Sequence, residues 1–325
     1  NFCFYLYQIT MGNHTQTGIM AAVSIEEYNQ GLIKKHEFTR PEKEDDRTRH
    51  IDITNANTGP VFLTYRNDGK LKNVTLEILN SHPNISFTAD DATFHALWKV
   101  ENKIQIERLI DYFQVIPALY IADGHHRAAS AARVQKIREE ANPNHSGYEP
   151  YNYFLSVIFP HDEMQILDYN RVAKDLNGFT EEQFHESINK NFDIVPIPHP
   201  PSPIPENNYS MHINGKWYQL EAKTHVKSDD PVEGLEASIL QKYLLTPILD
   251  IDDPRTNKRI DFVGGIRGMV ELERRCEIDC QVAFALPPVS IEQLLSVADS
   301  GQVMPPKSTW FEPKLRSGMV VRLLD

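Results

Sequence analysis

The chain has 325 residues, with 33 Lys+Arg against 45 Asp+Glu (net charge −12), 41% hydrophobic residues and 24% charged. That mixture excludes a disordered chain, and no apolar run reaches the roughly 18 residues a membrane helix needs. Three cysteines, Cys3, Cys276 and Cys280, are an odd number in a long chain. They argue for a reducing, cytoplasmic compartment over a disulfide framework.

The opening Asn-Phe-Cys-Phe-Tyr-Leu-Tyr has no initiator Met and reads as the middle of a strand, so the sequence is expected to be a fragment truncated at its N-terminus. Two β-rich runs, 2–9 and 17–25, flank Met11-Gly12-Asn13-His14 as a hairpin. A mixed-charge stretch runs from Lys34 to His50, and its later half, 42–54, is expected to be helical. Val61–Tyr65 reads as a buried strand, and 87–100 as a hairpin turning at Ala89-Asp90-Asp91. In 103–113 the apolar residues Ile106, Leu109, Ile110 and Phe113 fall at i, i+3, i+4 and i+7, the mark of an amphipathic helix. A short strand, 117–122, then runs through Asp123-Gly124-His125-His126-Arg127 into an Ala-rich helix ending near Ala141.

Residues 151–159 form another buried strand. Beyond it the charge shifts: residues 1–160 carry 16 basic and 19 acidic residues, residues 161–325 carry 17 and 26. The prolines between Pro196 and Pro205 predict an extended loop, and Asn214-Gly215 a tight hairpin between 209–213 and 216–221. Helices are expected at 235–244, 267–276 and 291–298, with a strand at 282–286. Strands and helices alternate irregularly, which favours α+β over a doubly wound parallel sheet. The expected division is a domain over 1–160 and an acidic α+β domain over 161–325.

Three segments could carry chemistry. In the strand–turn–helix unit, a helix N-terminus offers unpaired N–H groups, Gly124 lets a ligand approach the backbone, and His125, His126 and Arg127 add donors. Asp123 adds a carboxylate for Mg²⁺ or a hydroxyl. An Asp helix cap followed by a turn would also explain Asp123 and Gly124, but not His-His-Arg. The second segment is Lys35-His36-Glu37-Phe38-Thr39-Arg40 with Lys43, Glu44, Asp46 and Arg47. Glu37 is its candidate general base, and a salt-bridged surface segment is the competing account. In the third, Lys307-Ser308-Thr309 after Pro305-Pro306 has phosphate-binding side chains but no Gly-rich lead-in, so a rigid loop with a buried aromatic competes with a site. No zinc spacing appears, and Val263-Gly264-Gly265 reads as tight packing.

Asp123-Gly124-His125-His126-Arg127, between an apolar strand and an Ala-rich helix, resembles the signature of the ParB/sulfiredoxin-like superfamily. Within it the run is most similar to that of the free-serine kinases, which also carry an upstream His-Glu where His36-Glu37 stands. The chain as a whole resembles an uncharacterised bacterial and archaeal family filed under SpoOJ/ParA/ParB/RepB-like names. The resemblance rests on His36-Glu37-x-Thr39-Arg40-x-x-Lys43-Glu44-x-Asp46-Arg47, the Asp-Gly-His-His-Arg run, 282–288 and 304–309. It implies a ParB/sulfiredoxin-like mixed-sheet domain and a phosphotransferase acting on a small, serine-like hydroxyl metabolite. ATP or ADP with Mg²⁺ would serve it, with Glu37 as base and Asp123 and His126 as further catalytic residues. Gly124, His125, His126, Arg127, Arg40, Lys307, Ser308 and Thr309 would bind phosphate, and Asp123 the metal. The alternative is a ParB-like nucleotide-binding or hydrolysing switch without kinase activity. A net charge of −12 disfavours DNA as a partner; no membrane partner is expected, and the oligomeric state is open.

Overall fold

A computed structural model describes residues 3–325, which form two compact units: 3–165 with 313–325, and 166–312. The fold is α+β, as the irregular alternation of strands and helices predicts.

In the first unit, β1 (Phe4–Met11) and β2 (His14–Ser24) form the expected hairpin, closed by Gly12 in the left-handed region that a two-residue turn demands. A short α1 (Ile25–Asn29) and β3 (Ile33–Lys34) lead to α2 (Pro41–Thr54), which starts with proline at its first turn. Next come β4 (Ala56–Asn57), β5 (Val61–Tyr65), α3 (Lys72–Leu79), β6 (Ile85–Thr88) and β7 (Phe94–Val100). The amphipathic α4 (Lys103–Gln114), β8 (Leu119–Asp123), α5 (His125–Ala141) and β9 (Tyr153–Pro160) complete this stretch. Eight strands form one mixed sheet in the order β3-β8-β5-β9-β2-β1-β7-β6. The pairs β3·β8 and β5·β9 are parallel and the rest antiparallel. All five residues of β5 are buried, as befits a strand covered on both faces. Ala128 and Ala131 of α5 are buried in the same core as Leu63, Ile121 and Phe154. Their small side chains let the helix lie close to the strands.

Strand β10 (Gln165–Leu167) leads into the second unit, which continues with β11 (Tyr169–Ala173). It continues through α6 (Glu181–Ile188), β12 (Phe192–Ile197), β13 (Asn208–Ile213), β14 (Lys216–Ala222) and α7 (Glu236–Leu240). The last part holds β15 (Ile260–Gly264), α8 (Gly268–Ile278), β16 (Val282–Ala285), α9 (Ile291–Asp299) and β17 (Trp310–Glu312). Six strands pair antiparallel in the order β12-β14-β13-β16-β11-β15. In this unit two details depart from the expectation. Pro196 lies inside β12, which tolerates a missing N–H because β12 is an edge strand. The helix expected over 235–244 is α-helical only to Leu240, and Gln241–Leu245 continues as a π turn.

The chain then returns to the first unit, where β18 (Arg322–Leu323) pairs with β4. Among the described residues no helix is long and apolar enough to cross a membrane, and Cys3, Cys276 and Cys280 are free thiols.

Candidate functional site

Strand β8 delivers Asp123 to the sheet edge of α5, and Gly124 turns the chain into the helix at φ +99°, a left-handed value that side chains disfavour. A Cβ on Gly124 would stand 3.0 Å from Arg127 Nε, so the glycine also makes room for the guanidinium. Gly124, not Asp123, is the N-cap, and no side chain caps α5. The N–H groups of Arg127 and Ala128 bond back to Gly124 O at 2.9 and 3.1 Å, and the first N–H groups of a helix have no acceptor within it. The Asp123 carboxylate takes the Gly124 N–H and lies 3.3 Å from Lys314 Nζ. Burial pulls its pKa up, but Lys314 and Arg127 pull it down further, so it sits below the ordinary carboxylate value.

The two imidazoles clamp the 36–40 segment to this helix end. His125 Nε2 accepts the His36 N–H at 3.5 Å, which places the His125 proton on Nδ1, 3.8 Å from a Glu37 carboxylate oxygen. The His36 and His125 rings meet edge to face with centroids 4.5 Å apart. His126 Nε2 accepts the Arg40 N–H at 3.0 Å. Burial drives His36 down to about 4 and holds His125 well below its ordinary value, with His36, His126 and Lys35 adding repulsion. His126 is lowered too, first by burial. Near neutral pH all three rings are therefore uncharged. Thr39 Oγ1 donates to Glu44 Oε1, and Ser130 Oγ donates to Glu44 O at 3.1 Å, fastening α2 to α5.

Between these elements lies a cavity of about 390 Å³. Its polar lining holds the cations Lys43, Arg47 and Arg127 and the imidazoles of His50 and His126 against one carboxylate, Asp123; Gly59, Gly124 and Ser317 complete it. Arg127 donates to Pro60 O at 2.6 Å, and its guanidinium reaches within 3.6 Å of where a Gly59 Cβ would be. Cations of this kind around an open helix N-terminus make a site for an anion of phosphate type.

Asp123, Gly124, His126 and Arg127 thus come together at the cavity. His125 is buried behind it, between His36 and Glu37. Glu37 is half exposed beside His125, and Arg40 caps α2, holding the cavity's edge through its backbone N–H. Lys307, Ser308 and Thr309 belong to the second unit and do not line the cavity. Lys43, Arg47 and His50 were not singled out as ligands by the sequence, although their i, i+4, i+7 spacing puts them on one face of α2. Lys314 and Ser317 arrive from the end of the chain, and no local pattern announces them.

Among the described residues no group of three or more metal-ligating side chains forms a metal centre. Mg²⁺ in phosphate sites commonly uses one or two carboxylates, water and the phosphates themselves, and Asp123, ionised and facing the cavity, fits that lesser demand.

Residues 1–238 match the family described as "Protein of unknown function (DUF1015)". The chain belongs to that family. No curated protein matches it. Among solved structures, a mutant free serine kinase in complex with AMP is 12% identical, covering 90% of this chain and 87% of its own, with a TM-score of 0.45. A conserved hypothetical protein from Pyrococcus furiosus is 13% identical over 92% of this chain and 93% of its own, TM-score 0.43. SbnI from Staphylococcus aureus, truncated at its C-terminus, is 10% identical over 94% and 87%, TM-score 0.46.

Proposed function

We propose that the first unit is a nucleotide-dependent phosphotransferase, of ParB/sulfiredoxin-like kind, acting on a small hydroxyl compound with a serine-like metabolite as first choice. The observation that carries this is the cavity, with its cations gathered at an uncapped helix start. His126, Arg127, Lys43 and Arg47, with the first N–H groups of α5, hold the phosphates of ATP or ADP. His125 positions Glu37, which takes the proton of the acceptor hydroxyl. The hydroxyl oxygen bonds to the terminal phosphorus, the bond to the bridging oxygen breaks, and the shortened nucleotide leaves. Asp123 would hold Mg²⁺, which supplies charge neutralisation on the phosphate oxygens when bound.

Glu37→Gln tests the reading. Turnover of the acceptor, found in a pooled metabolite screen, is expected to fall about 10²- to 10⁴-fold with nucleotide affinity kept; unchanged turnover removes Glu37 as the base. A second reading draws on the engagement of Asp123 with Lys314 and on Glu37 lying outside the cavity lining. It is a nucleotide-binding switch without metabolite transfer. Tight nucleotide binding with no phosphoryl acceptor in the same screen would favour it.

A further inference from the structure

The sheet face of the second unit that packs against α6 and α7 carries a buried arginine that forms no ion pair among the described residues; the buried Glu236 of α7 acts on the neighbouring Tyr209. Arg171, on β11, stands opposite Phe262 of β15 and Phe284 of β16, two residues before the core residue Ala173. Only 4% of it is exposed. One N–H donates to Tyr169 O, and the guanidinium lies 5.6 Å from the Phe262 ring centroid. Among the described residues it has no carboxylate partner. A guanidinium has five N–H donors and is always charged, and buried charges are ordinarily paired. The other arginines of this unit follow that rule: Arg259 is paired with Asp175, and Arg275 with Asp279 and Asp261. The ionisable side chains acting on Arg171 are two phenols, Tyr169 and Tyr209, and burial drags its pKa down to about 10.

A second cation reaches the same tyrosine. Lys307 Nζ lies 5.6 Å from the Tyr169 ring centroid, and Lys307 is held at φ +61°, where a residue other than glycine is strained. Its loop is anchored by Trp310, whose ring packs edge-on to Tyr169 at 5.1 Å. Trp310 fits because a Cβ on Gly264 would stand 2.7 Å from the indole. The 304–309 block, which lines no part of the first cavity, thereby gains a place: Tyr169 offers its carbonyl to Arg171 and its ring to Lys307.

We propose that Arg171 and Lys307 form an oxyanion site of the second unit, taking a carboxylate or phosphate group of a small-molecule ligand. The planar fork of Arg171 supplies paired donors and Lys307 a point charge. The assignment does not depend on the nucleotide reading of the first unit.

The test follows acylation of Lys307 in the full chain by N-hydroxysuccinimidyl acetate, read from its peptide by mass spectrometry. Inorganic phosphate and succinate are the probes, with chloride at matched ionic strength as control. One of the two oxyanions is expected to slow modification about tenfold at ten times its dissociation constant, and to give no such protection in Arg171→Met. Which probe protects tells phosphate from carboxylate. Arg171→Met is also expected to be at least as stable as the parent without ligand, because an apolar side chain replaces an uncompensated charge. Absence of protection by both anions in the parent overturns the site, as does equal protection in Arg171→Met. Should Arg171→Met fail to fold, Arg171→Lys decides: weakened protection supports the site, and unchanged protection overturns it. Because the Lys307 peptide reports on this unit alone, failure here leaves the first cavity untouched.

Discussion

The helix starts of α5 and of α6 and α9 are built on opposite plans. Thr180 and Gln183 close α6 with a reciprocal capping box, and Ser290 and Gln293 do the same for α9. Their orphan N–H groups are consumed by side chains within one turn. At α5 the cap is Gly124 in a left-handed conformation, no side chain closes the end, and Lys43, Arg47 and Arg127 crowd around it. A helix end spent on its own caps contributes stability; one left open beside cations is available to a ligand.

Acidification should separate the two plans most strongly. Folded His36 titrates at about 4 against 6.5 unperturbed, and His125 is lowered as well. Between these values the unfolded chain binds protons that the folded chain refuses, so stability falls as pH drops from about 6.5 to about 4. For His36 alone the loss is about 3 kcal/mol. It is expected in denaturant unfolding, with first-turn amides of α5, not those of α6 or α9, gaining exchange at pH 5; uniform protection would break the contrast. Next in size, Arg127→Ala is expected to weaken nucleotide binding about 30-fold, roughly 2 kcal/mol, by calorimetry. Unchanged affinity would remove phosphate from that cavity. Gly124→Ala should cost about 1–2 kcal/mol of stability from backbone strain alone and reduce the nucleotide-induced rise in melting temperature; a neutral result would mean the turn relaxes. The smallest effect sharpens the contrast from the other side. Ser290→Ala should lose about 1 kcal/mol of stability while nucleotide affinity stays at the parental value.

Much of the local structure was legible in the residues. The spacing of Ile106, Leu109, Ile110 and Phe113 located α4, and Asn214-Gly215 located the β13–β14 turn. The Asp123–Arg127 run stands where strand meets helix, as its pattern predicts. What escaped was non-local. The parallel pairing of β5 with β9 joins Val61 to Ser156 across the sequence, and no local periodicity encodes it. α1 and β3 were missed because five and two residues carry too little pattern. At the site, the α2 face of Lys43, Arg47 and His50 was readable from its spacing. The two imidazoles as clamps on 36–40 were not, because only the fold brings residues 86 and 89 apart in sequence into contact.

The return of residues 313–325 has a consequence for synthesis. Domains form as they emerge from the ribosome, N-terminal part first, yet Lys314, Ser317 and β18 leave it only after the whole of 166–312. Until then Asp123 lacks its ammonium partner and β4 its antiparallel neighbour. A nascent chain halted before residue 313 would present the Asp-Gly-His-His-Arg turn with one wall of its cavity unbuilt, so the cavity is finished only at the end of synthesis.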